Sequence, residues 1–183
     1  MKYYNFLTNN EVNVNTKLYD FNMEIAEKLS TRSKDENTKV GCVITDKDSV
    51  IVSSGYNGPN RHAFDSCYNF TTTDKYVVLA AQYKHLDLPN RSIVLKKNPF
   101  MIHAEMNAIL SCTDKKSLEG SIVFVTHCCC ITCLNSLIQS KVGRIVMGDK
   151  KHSKYTEMLP DILFLLENSE IPRDFILIQK PLD

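Results

Sequence analysis

The sequence predicts an α/β layer fold built around one mixed sheet of about five strands. Segments with strand character alternate along the chain with segments of helical periodicity, which is typical of helices packed on a sheet. Two neighbouring strand-like segments, 40–46 and 49–55, are separated only by a turn and are expected to form a hairpin. Because a hairpin introduces antiparallel pairing, the sheet is expected to be mixed and not purely parallel.

The first third of the chain contains one predicted helix before this hairpin. Residues 1–15 are rich in Asn and are expected to form a loose N-terminal arm, followed by a single domain over 16–183. A tight turn at Asp46-Lys47-Asp48 is expected to join the two strands. Residues at helical spacing predict an amphipathic helix over 16–30; they are Leu18, Phe21, Asn22, Ile25, Ala26 and Leu29.

The remaining elements alternate more regularly. Turn-forming residues predict a loop over 56–75, a helix is predicted over 76–85, and two prolines favour a loop over 86–100. Beyond residue 100 we expect three helices and three strands in alternation. The predicted helices are His103–Cys112, 132–140 and 156–168, and the predicted strands are 122–126, 144–148 and 174–179.

Composition and charge narrow the class of protein. The formal net charge of +1 gives no strong electrostatic footprint for a nucleic acid. No apolar run approaches the roughly 20 residues that span a bilayer, and the first residues lack signal-peptide features, so we expect a cytoplasmic protein without a membrane partner. Seven cysteines, an odd number with three adjacent, suit a reducing compartment and metal binding better than a disulfide framework.

Two short motifs together predict a hydrolytic metal site. His103-Ala104-Glu105 is followed by Cys130 and Cys133, which offers three zinc ligands and a carboxylate that need not be a ligand. A hydrolytic zinc site needs three protein ligands, a position for water and a nearby base. Cys130 and Cys133 are the two cysteines of this cluster that are separated by two residues. The alternatives are a structural zinc site and a buried cysteine pair without metal.

These motifs, with their surroundings, resemble the deoxycytidylate (dCMP) deaminase family. The resemblance rests on 103–110, on 122–133, and upstream on 38–44 and on Gly55-Tyr56-Asn57-Gly58. His-x-Glu followed by Cys-x-x-Cys is the signature of zinc deaminases. The resemblance implies a three-layer α/β/α cytidine-deaminase-like fold. It also implies hydrolytic deamination of dCMP to dUMP and ammonia, supplying dUMP for thymidylate synthesis.

The resemblance also assigns roles to residues. It implies one catalytic Zn²⁺ on His103, Cys130 and Cys133, and Glu105 as the proton shuttle to N3 of cytosine and to the departing amine. Asn57 and Ala104 are expected to contact the substrate, although the Asn-Gly pair is also a strong turn signal by itself. A second zinc on Cys67 with His62 or His85 is left open. The other cysteines are expected to be buried or half-buried thiols: Cys42, Cys67, Cys112, Cys128 and Cys129.

The sequence departs from the family pattern at two places. The family usually has Pro where this chain has Cys129. The family turn Gly-Tyr-Asn-Gly-x-Pro-x-Gly is one residue shorter here and ends in Arg61 and His62. In the family this turn binds the activator dCTP and the inhibitor dTTP, so we expect dCTP activation, and with it any need for Mg²⁺, to be lost or strongly weakened. Lys115 and Lys116 are, with Arg61 and His62, the candidates for a phosphate or effector contact.

Other functions remain open at this point. A polynucleotide deaminase, such as the tRNA adenosine type, is disfavoured by the near-neutral charge and by the 44 residues between Gly58 and His103. A non-catalytic zinc-stabilised binding protein is disfavoured by Glu105, which a purely structural site does not require. The expected partners are a small nucleotide substrate and further copies of the chain, and the resemblance implies a homo-oligomer, with a hexamer as one form.

Overall fold

A computed structural model describes residues 1–35, 37–61, 76–78, 93–95, 101–150 and 155–181. Its strands are β1 Lys2–Asn5, β2 Gly41–Thr45, β3 Ile51–Tyr56, β4 Gly58–Pro59, β5 Tyr76–Val78, β6 Ile93–Leu95, β7 Met101–Ile102, β8 Ile122–His127, β9 Arg144–Lys150 and β10 Ile176–Lys180. Its α-helices are α1 Thr16–Ser30, α2 Ala104–Ser111, α3 Ile131–Gln139 and α4 Tyr155–Glu167, and a 3₁₀ helix covers Lys115–Leu118.

Six strands form the central sheet, in the order β1-β10-β9-β8-β2-β3. The strands β8, β9 and β10 run parallel, and β1, β2 and β3 are joined to them or to each other by antiparallel pairing. This confirms the predicted mixed sheet, with one strand more than expected. The additional strand is β1, because the other five central strands are those predicted from the sequence.

The helices pack on both faces of this sheet, which confirms the three-layer fold. One apolar cluster joins α1 to one face through Tyr19, Met23, Val43 and Phe124. The larger cluster on the other face includes residues of α2, α3 and α4, among them Ala108. The face of α1 differs from the prediction: Phe21 is 56% exposed, and Tyr19 and Met23 are buried together with the predicted Asn22 and Ala26.

The hairpin of β2 and β3 forms as predicted. Its turn is closed by the Asp46 side chain, whose Oδ1 accepts the main-chain N–H groups of Asp48 and Val50, both at 2.9 Å. Ser49 adopts a positive φ of 68° within the turn. The hairpin lies at one end of the sheet and supplies the surface on which α2 packs.

The N-terminal segment is not the loose arm expected from its Asn-rich composition. Strand β1 pairs antiparallel with β10, and Tyr3 is 1% exposed. The Tyr3 hydroxyl donates to Asp20 Oδ1 of α1 at 2.6 Å and accepts from Gln179 of β10 at 2.9 Å. Composition could not predict this strand, because its pairing partner lies at the opposite end of the chain.

The chain divides into two compact units. Met1–Gly58 together with His103–Asp183 forms one unit, which contains the central sheet, and Pro59–Ile102 forms the other. In the second unit β5 pairs antiparallel with β6. The predicted helix is wrong at its start, Tyr76–Val78, and the predicted loop is wrong at Ile93–Leu95, because both segments are strands. Sequence analysis missed them because strands of three residues are too short to show a periodicity. The rest of those two predictions lies outside the described residues.

None of the helices in the described part of the chain is both long and apolar enough to cross a membrane.

Candidate metal centre

The first ligand stands at the start of α2. His103 is the N-cap residue of this helix, with extended backbone angles of φ −69° and ψ 156°. The residue therefore lies before the helical phase begins, and the two-residue spacing to Glu105 does not force the two side chains apart. The sequence alone left this geometry unresolved, because in mid-helix the two positions would diverge.

The other two ligands stand at the start of α3. Cys130 is the N-cap residue, again extended, with φ −78° and ψ 162°. Its Sγ accepts the main-chain N–H of Cys133 at 3.5 Å, as a capping side chain does. The end of β8 and the first turn of α3 thus hold both sulfurs at one place.

The three side chains meet across the two helix starts. His103 Nδ1 lies 3.3 Å from Cys130 Sγ and 3.4 Å from Cys133 Sγ. One ligand atom from each residue lies within 4.8 Å of the others. We call these three residues the ligand cluster. It is the set with metal-binding spacing that is found in the described part of the chain.

The ligand cluster fits a zinc ion. Zinc bonds of about 2.3 Å to sulfur and about 2.0 Å to nitrogen imply N–S separations of about 3.5 Å in a tetrahedron, and the two N–S distances, 3.3 and 3.4 Å, agree with this. Two thiols and an imidazole are also the donor set that zinc prefers. Cys133 is buried and Cys130 is half-buried, so the thiols are held in place by the core.

Hydrogen bonds within the ligand cluster shift the pKa values of its three residues. A hydrogen bond with Cys133, and a further one with His103, lowers the pKa of Cys130 to about 4. The same bond to Cys130 raises the pKa of Cys133. The hydrogen bond with Cys130 also raises the pKa of His103. One thiolate is therefore available at neutral pH, which favours capture of a divalent cation.

Glu105 lies beside the ligand cluster and is 4% exposed. Of the residues that the structure describes, it is the one carboxylate in the buried class. Burial raises the pKa of Glu105, and this is opposed by its own main-chain N–H, by His103 and by a hydrogen bond from the Cys129 thiol. A carboxyl group in such surroundings can hold a proton closer to neutrality than an exposed one, as a proton shuttle requires.

Two of the buried thiols lie near this carboxylate. Cys42 and Cys129 are 0% and 2% exposed, and the charge of Glu105 adds to burial in raising the pKa of both. Cys112 and Cys128 are 3% and 4% exposed. The prediction of buried thiols is confirmed for these four residues, whereas Cys67 lies outside the described residues.

The side chain of Asn57, the predicted substrate residue, is hydrogen-bonded to the protein backbone. Its side chain is 7% exposed, its Oδ1 accepts the N–H of Val40 at 2.8 Å, and its Nδ2 donates to the carbonyl of Thr38 at 2.8 Å. An amide side chain has a second N–H and a second lone pair, so each of these two polar groups can form one further hydrogen bond to a ligand. Both observed bonds join Asn57 to the segment that precedes β2, and they are not the local bonds of an Asn-Gly turn.

Helix α2 is fitted closely onto the hairpin. A Cβ on Gly55 would lie 2.4 Å from the carbonyl oxygen of Ala104 and 2.5 Å from the main-chain nitrogen of Ala108. Asn107 Nδ2 donates to the carbonyl of Tyr56 at 2.8 Å, and Ser53 Oγ donates to that of Ala108 at 2.6 Å. Gly55 therefore serves packing, and these contacts place the helix start that carries His103.

The phosphate candidates occupy different environments. Lys115 and Lys116 belong to the 3₁₀ helix that follows α2, and Lys115 Nζ donates to the carbonyl of Ile109. The Lys115 ammonium thus stabilises the C-terminal end of α2. Arg61 is exposed at the end of a described range, and His62 lies outside the described residues, as does the second zinc site considered for Cys67.

A His/Cys/Cys cluster at two helix starts, with a buried carboxylate beside it, defines a zinc site of the deaminase class. The sequence matches the cytidine and deoxycytidylate deaminase zinc-binding region over residues 17–149. The chain belongs to this family, which confirms the resemblance found in the sequence.

Curated relatives agree with this assignment, and a solved structure agrees with the fold. A probable deoxycytidylate deaminase of Caenorhabditis elegans is 37% identical, and the match covers 74% of this chain and 65% of that protein. The human deoxycytidylate deaminase is 29% identical, over 79% of this chain and 72% of the human protein. A dCMP deaminase of cyanophage S-TIM5 shares the fold, with a TM-score of 0.55 at 21% identity, over 80% of this chain and 94% of that chain.

Proposed function

We propose that this chain is a zinc-dependent hydrolase that deaminates dCMP to dUMP and ammonia. The observation that carries the proposal is the buried Glu105 carboxylate beside the ligand cluster. A structural zinc site has no need of such a group, whereas hydrolysis needs a base and an acid at the metal. The name of the nematode relative, a probable deoxycytidylate deaminase at 37% identity, supports dCMP as the substrate.

The ligand cluster would hold the zinc ion. When bound, zinc supplies Lewis-acid activation of a water for attack at C4 of the cytosine ring. Two thiolates and one imidazole would leave one ligand position of a bound zinc ion for water, and such a position is what a catalytic site has and a closed structural one lacks.

Glu105 performs the proton transfers. Its carboxylate would take a proton from the attacking water and deliver it to N3 of the base. It would then take the proton of the hydroxyl added at C4 and deliver it to the departing amine. Burial, which raises the pKa of Glu105, favours this exchange because a shuttle must gain and lose a proton within one turnover. The main chain of Glu105 belongs to the first turn of α2, so the helix fixes the point from which the side chain extends.

Ala104 and Asn57 are proposed to contact the substrate. Ala104 is the first residue of α2, and the N–H groups of a helix's first turn have no partner inside the helix. This N–H is therefore suited to donate to an oxygen of the base. Asn57 would use the amide N–H that is not bonded to Thr38.

The proposal also covers the assembly, the location and the effector contacts of the protein. A homo-oligomer, with a hexamer as one form, acting in the cytoplasm to supply dUMP for thymidylate synthesis is proposed from membership of the family. Arg61, His62, Lys115 and Lys116 are proposed as phosphate or effector contacts. Mg²⁺ is proposed only as the companion of a triphosphate effector.

The test is a substrate panel on the purified protein, with zinc measured in the same samples. We expect about one zinc per chain and the fastest turnover with dCMP, compared with CMP, dCTP, deoxycytidine and 5-substituted dCMP. Zinc without turnover of any of these would support a non-catalytic binding protein instead. Turnover of adenosine in a tRNA anticodon stem, without turnover of dCMP, would support a polynucleotide deaminase.

A further inference from the structure

The loop between α1 and β2 carries a local excess of positive charge that the proposed function does not yet use. Residues 28–39, from the last turn of α1 to the end of this loop, contain four Lys or Arg and two Asp or Glu, whereas the whole chain is nearly balanced at 22 to 21. All four cations are exposed, and they are Lys28, Arg32, Lys34 and Lys39. A surface with such an excess favours an anionic ligand.

The loop is fixed to Asn57, one of the residues proposed to contact the substrate. Asn57 Oδ1 accepts the main-chain N–H of Val40, and Asn57 Nδ2 donates to the carbonyl of Thr38, both at 2.8 Å. The main-chain N–H of Asn57 also donates to the carbonyl of Val40 at 3.1 Å. Within the loop, Asp35 Oδ1 accepts the N–H groups of Asn37 and Thr38 at 2.9 and 3.2 Å. These bonds give the loop a defined shape beside Asn57.

The loop also lies at the edge of the sheet that carries the ligand cluster. Strands β3 and β8 run in the same direction, because both pair antiparallel with β2, so their carboxyl ends lie at one edge, where β2 begins. Helix α3, with Cys130 as its N-cap, follows β8. Tyr56 ends β3, and its carbonyl accepts Asn107 Nδ2 from the first turn of α2, whose N-cap is His103. A nucleotide with its base at the ligand cluster and its sugar at Asn57 can therefore extend its 5′-phosphate towards this loop.

Arg32 is the cation of the loop that is best placed for this contact. Its guanidinium carbon lies 5.3 Å from the centroid of the Tyr56 ring, and Tyr56 is the residue before Asn57. An aromatic face attracts a guanidinium group, whose in-plane N–H groups can still donate two parallel bonds to a phosphate. Lys115 and Lys116, by contrast, follow the far end of α2, a helix of eight residues that is about 12 Å long and has His103 at its other end.

We propose that the Arg32 guanidinium binds the 5′-phosphate of the substrate nucleotide. This inference rests on the proposed function, and it names the contact by which the chain distinguishes a nucleotide from a nucleoside. A phosphate carries a charge of about −1.5 to −2 at neutral pH, and its oxygens match the guanidinium fork. The Tyr56 ring restrains the guanidinium before the ligand arrives, which lowers the ordering cost of binding.

The binding test uses the zinc-loaded protein and the product nucleotide dUMP, and it needs no turnover. We expect Arg32→Ala to raise the Kd for dUMP about 10-fold, because a charge-assisted pair of hydrogen bonds is lost. Arg32→Lys keeps the charge without the fork and should recover Kd to within about 3-fold of wild type. Lys28→Ala removes another exposed cation from the same end of α1 and is the control, with an expected change in Kd of less than about 2-fold.

Deoxyuridine separates the phosphate contact from a general loss of the binding site. It lacks the phosphate, so Arg32→Ala should leave its Kd, measured by competition with dUMP, unchanged. Equal weakening of dUMP and deoxyuridine would overturn the proposal. Equal effects of Arg32→Ala and Lys28→Ala, or a Kd for dUMP that Arg32→Ala leaves unchanged, would also overturn it.

The same variants give a kinetic readout on dCMP. We expect Arg32→Ala to raise KM about 10-fold with kcat within about 2-fold of wild type, because the phosphate contact is the same in the ground state and the transition state. Turnover of dCMP with KM unmoved by Arg32→Ala would overturn this inference and leave the proposed function standing. Binding of dUMP through Arg32 without any turnover of dCMP would refute the proposed function and leave the phosphate contact standing.

Discussion

Glu105 is a buried carboxylate that lies near buried thiols and the ligand cluster. Its proposed role requires the carboxyl group to exchange protons, whereas packing against its neighbours requires only the shape of the side chain. Substitution by the amide separates the two requirements, because Gln keeps the shape and loses the exchangeable proton.

We therefore expect Glu105→Gln to retain zinc and fold while losing most turnover of dCMP. General acid–base catalysis is worth about 10²–10⁴-fold, and here one group serves several transfers. The measurement is kcat on dCMP, together with zinc content and a thermal melt. Activity within a factor of about three of wild type would remove Glu105 from this role.

The cysteine ligands give a second test at the same scale. Cys130→Ser or Cys133→Ser should lose zinc, because each removes a sulfur within reach of His103 Nδ1. Cys128→Ser should keep zinc, because its Sγ lies near the Gly148 carbonyl and outside the ligand cluster. Zinc stoichiometry after exhaustive dialysis decides the matter. Loss of metal from Cys128→Ser alone would show that the ligands are shifted in the sequence.

Residue chemistry was predictable to the extent that it depends on spacing. The positions of His103, Cys130 and Cys133 follow from a His-x-Glu motif and a two-residue cysteine spacing, and the structure brings the three together. The surroundings of Asn57 and Cys129 depend on which backbone or side chain arrives from another element. A sequence does not specify those approaches by spacing, so their bonds became visible only in the folded chain.

At the scale of elements, two glycines set how closely helices approach the hairpin. A Cβ on Gly41 would lie 1.9 Å from the Ala26 carbonyl of α1, and one on Gly55 would lie 2.4 Å from the Ala104 carbonyl of α2. Both neighbours are backbone atoms, which cannot rotate away. Gly58 has nothing within 4 Å of its added Cβ and provides a control.

We expect Gly41→Ala and Gly55→Ala each to lower the free energy of unfolding by about 1–3 kcal/mol, because overpacking displaces a helix. Gly55→Ala should also weaken zinc retention, since α2 begins at the His103 ligand, whereas α1 carries no ligand. Urea denaturation and zinc content measure the two effects. A Gly55→Ala variant as stable as Gly58→Ala would contradict the packing argument.

The elements that sequence analysis missed share one property. Strands β1, β5 and β6 have three or four residues each, too few to show a periodicity of two. Helix α1 was placed correctly from its period, but Phe21, which falls at that same period, lies at the exposed edge of the helix. Long elements with repeated spacing were predictable, and short strands stabilised by distant partners were not.

At the scale of the whole molecule, the family resemblance predicts that regulation by dCTP and dTTP would depend on the turn that follows β3. This chain has Pro59, Asn60, Arg61 and His62 where the family turn continues to a further glycine. Glycine lets main-chain N–H groups approach a phosphate, and the shortened turn loses that residue.

We predict that dCTP with Mg²⁺ leaves the curve of rate against dCMP unchanged, because the triphosphate site is lost or strongly weakened. The measurement is that curve with and without the effector, and dTTP is tested in parallel. Conversion of a sigmoidal curve to a hyperbolic one at micromolar dCTP would show that the altered turn still binds it. Arg61→Ala would then reveal whether its charge has replaced the glycine backbone.

The ligands lie on helices that precede and follow β8 in the chain, and this has a consequence for how long the folded molecule lasts. An ion that joins all three closes a ring through the central strand, and the ring can form only after α2 and α3 have docked beside each other. Stabilisation absent from the transition state slows unfolding and leaves folding unaffected. Free zinc at about 100 times its dissociation constant should therefore slow unfolding about 100-fold and leave the refolding rate unchanged. Stopped-flow unfolding of zinc-loaded and chelated protein measures this, and an equal acceleration of refolding would mean that the metal site assembles early. Bound zinc would then prolong the lifetime of the folded state in addition to serving in the reaction.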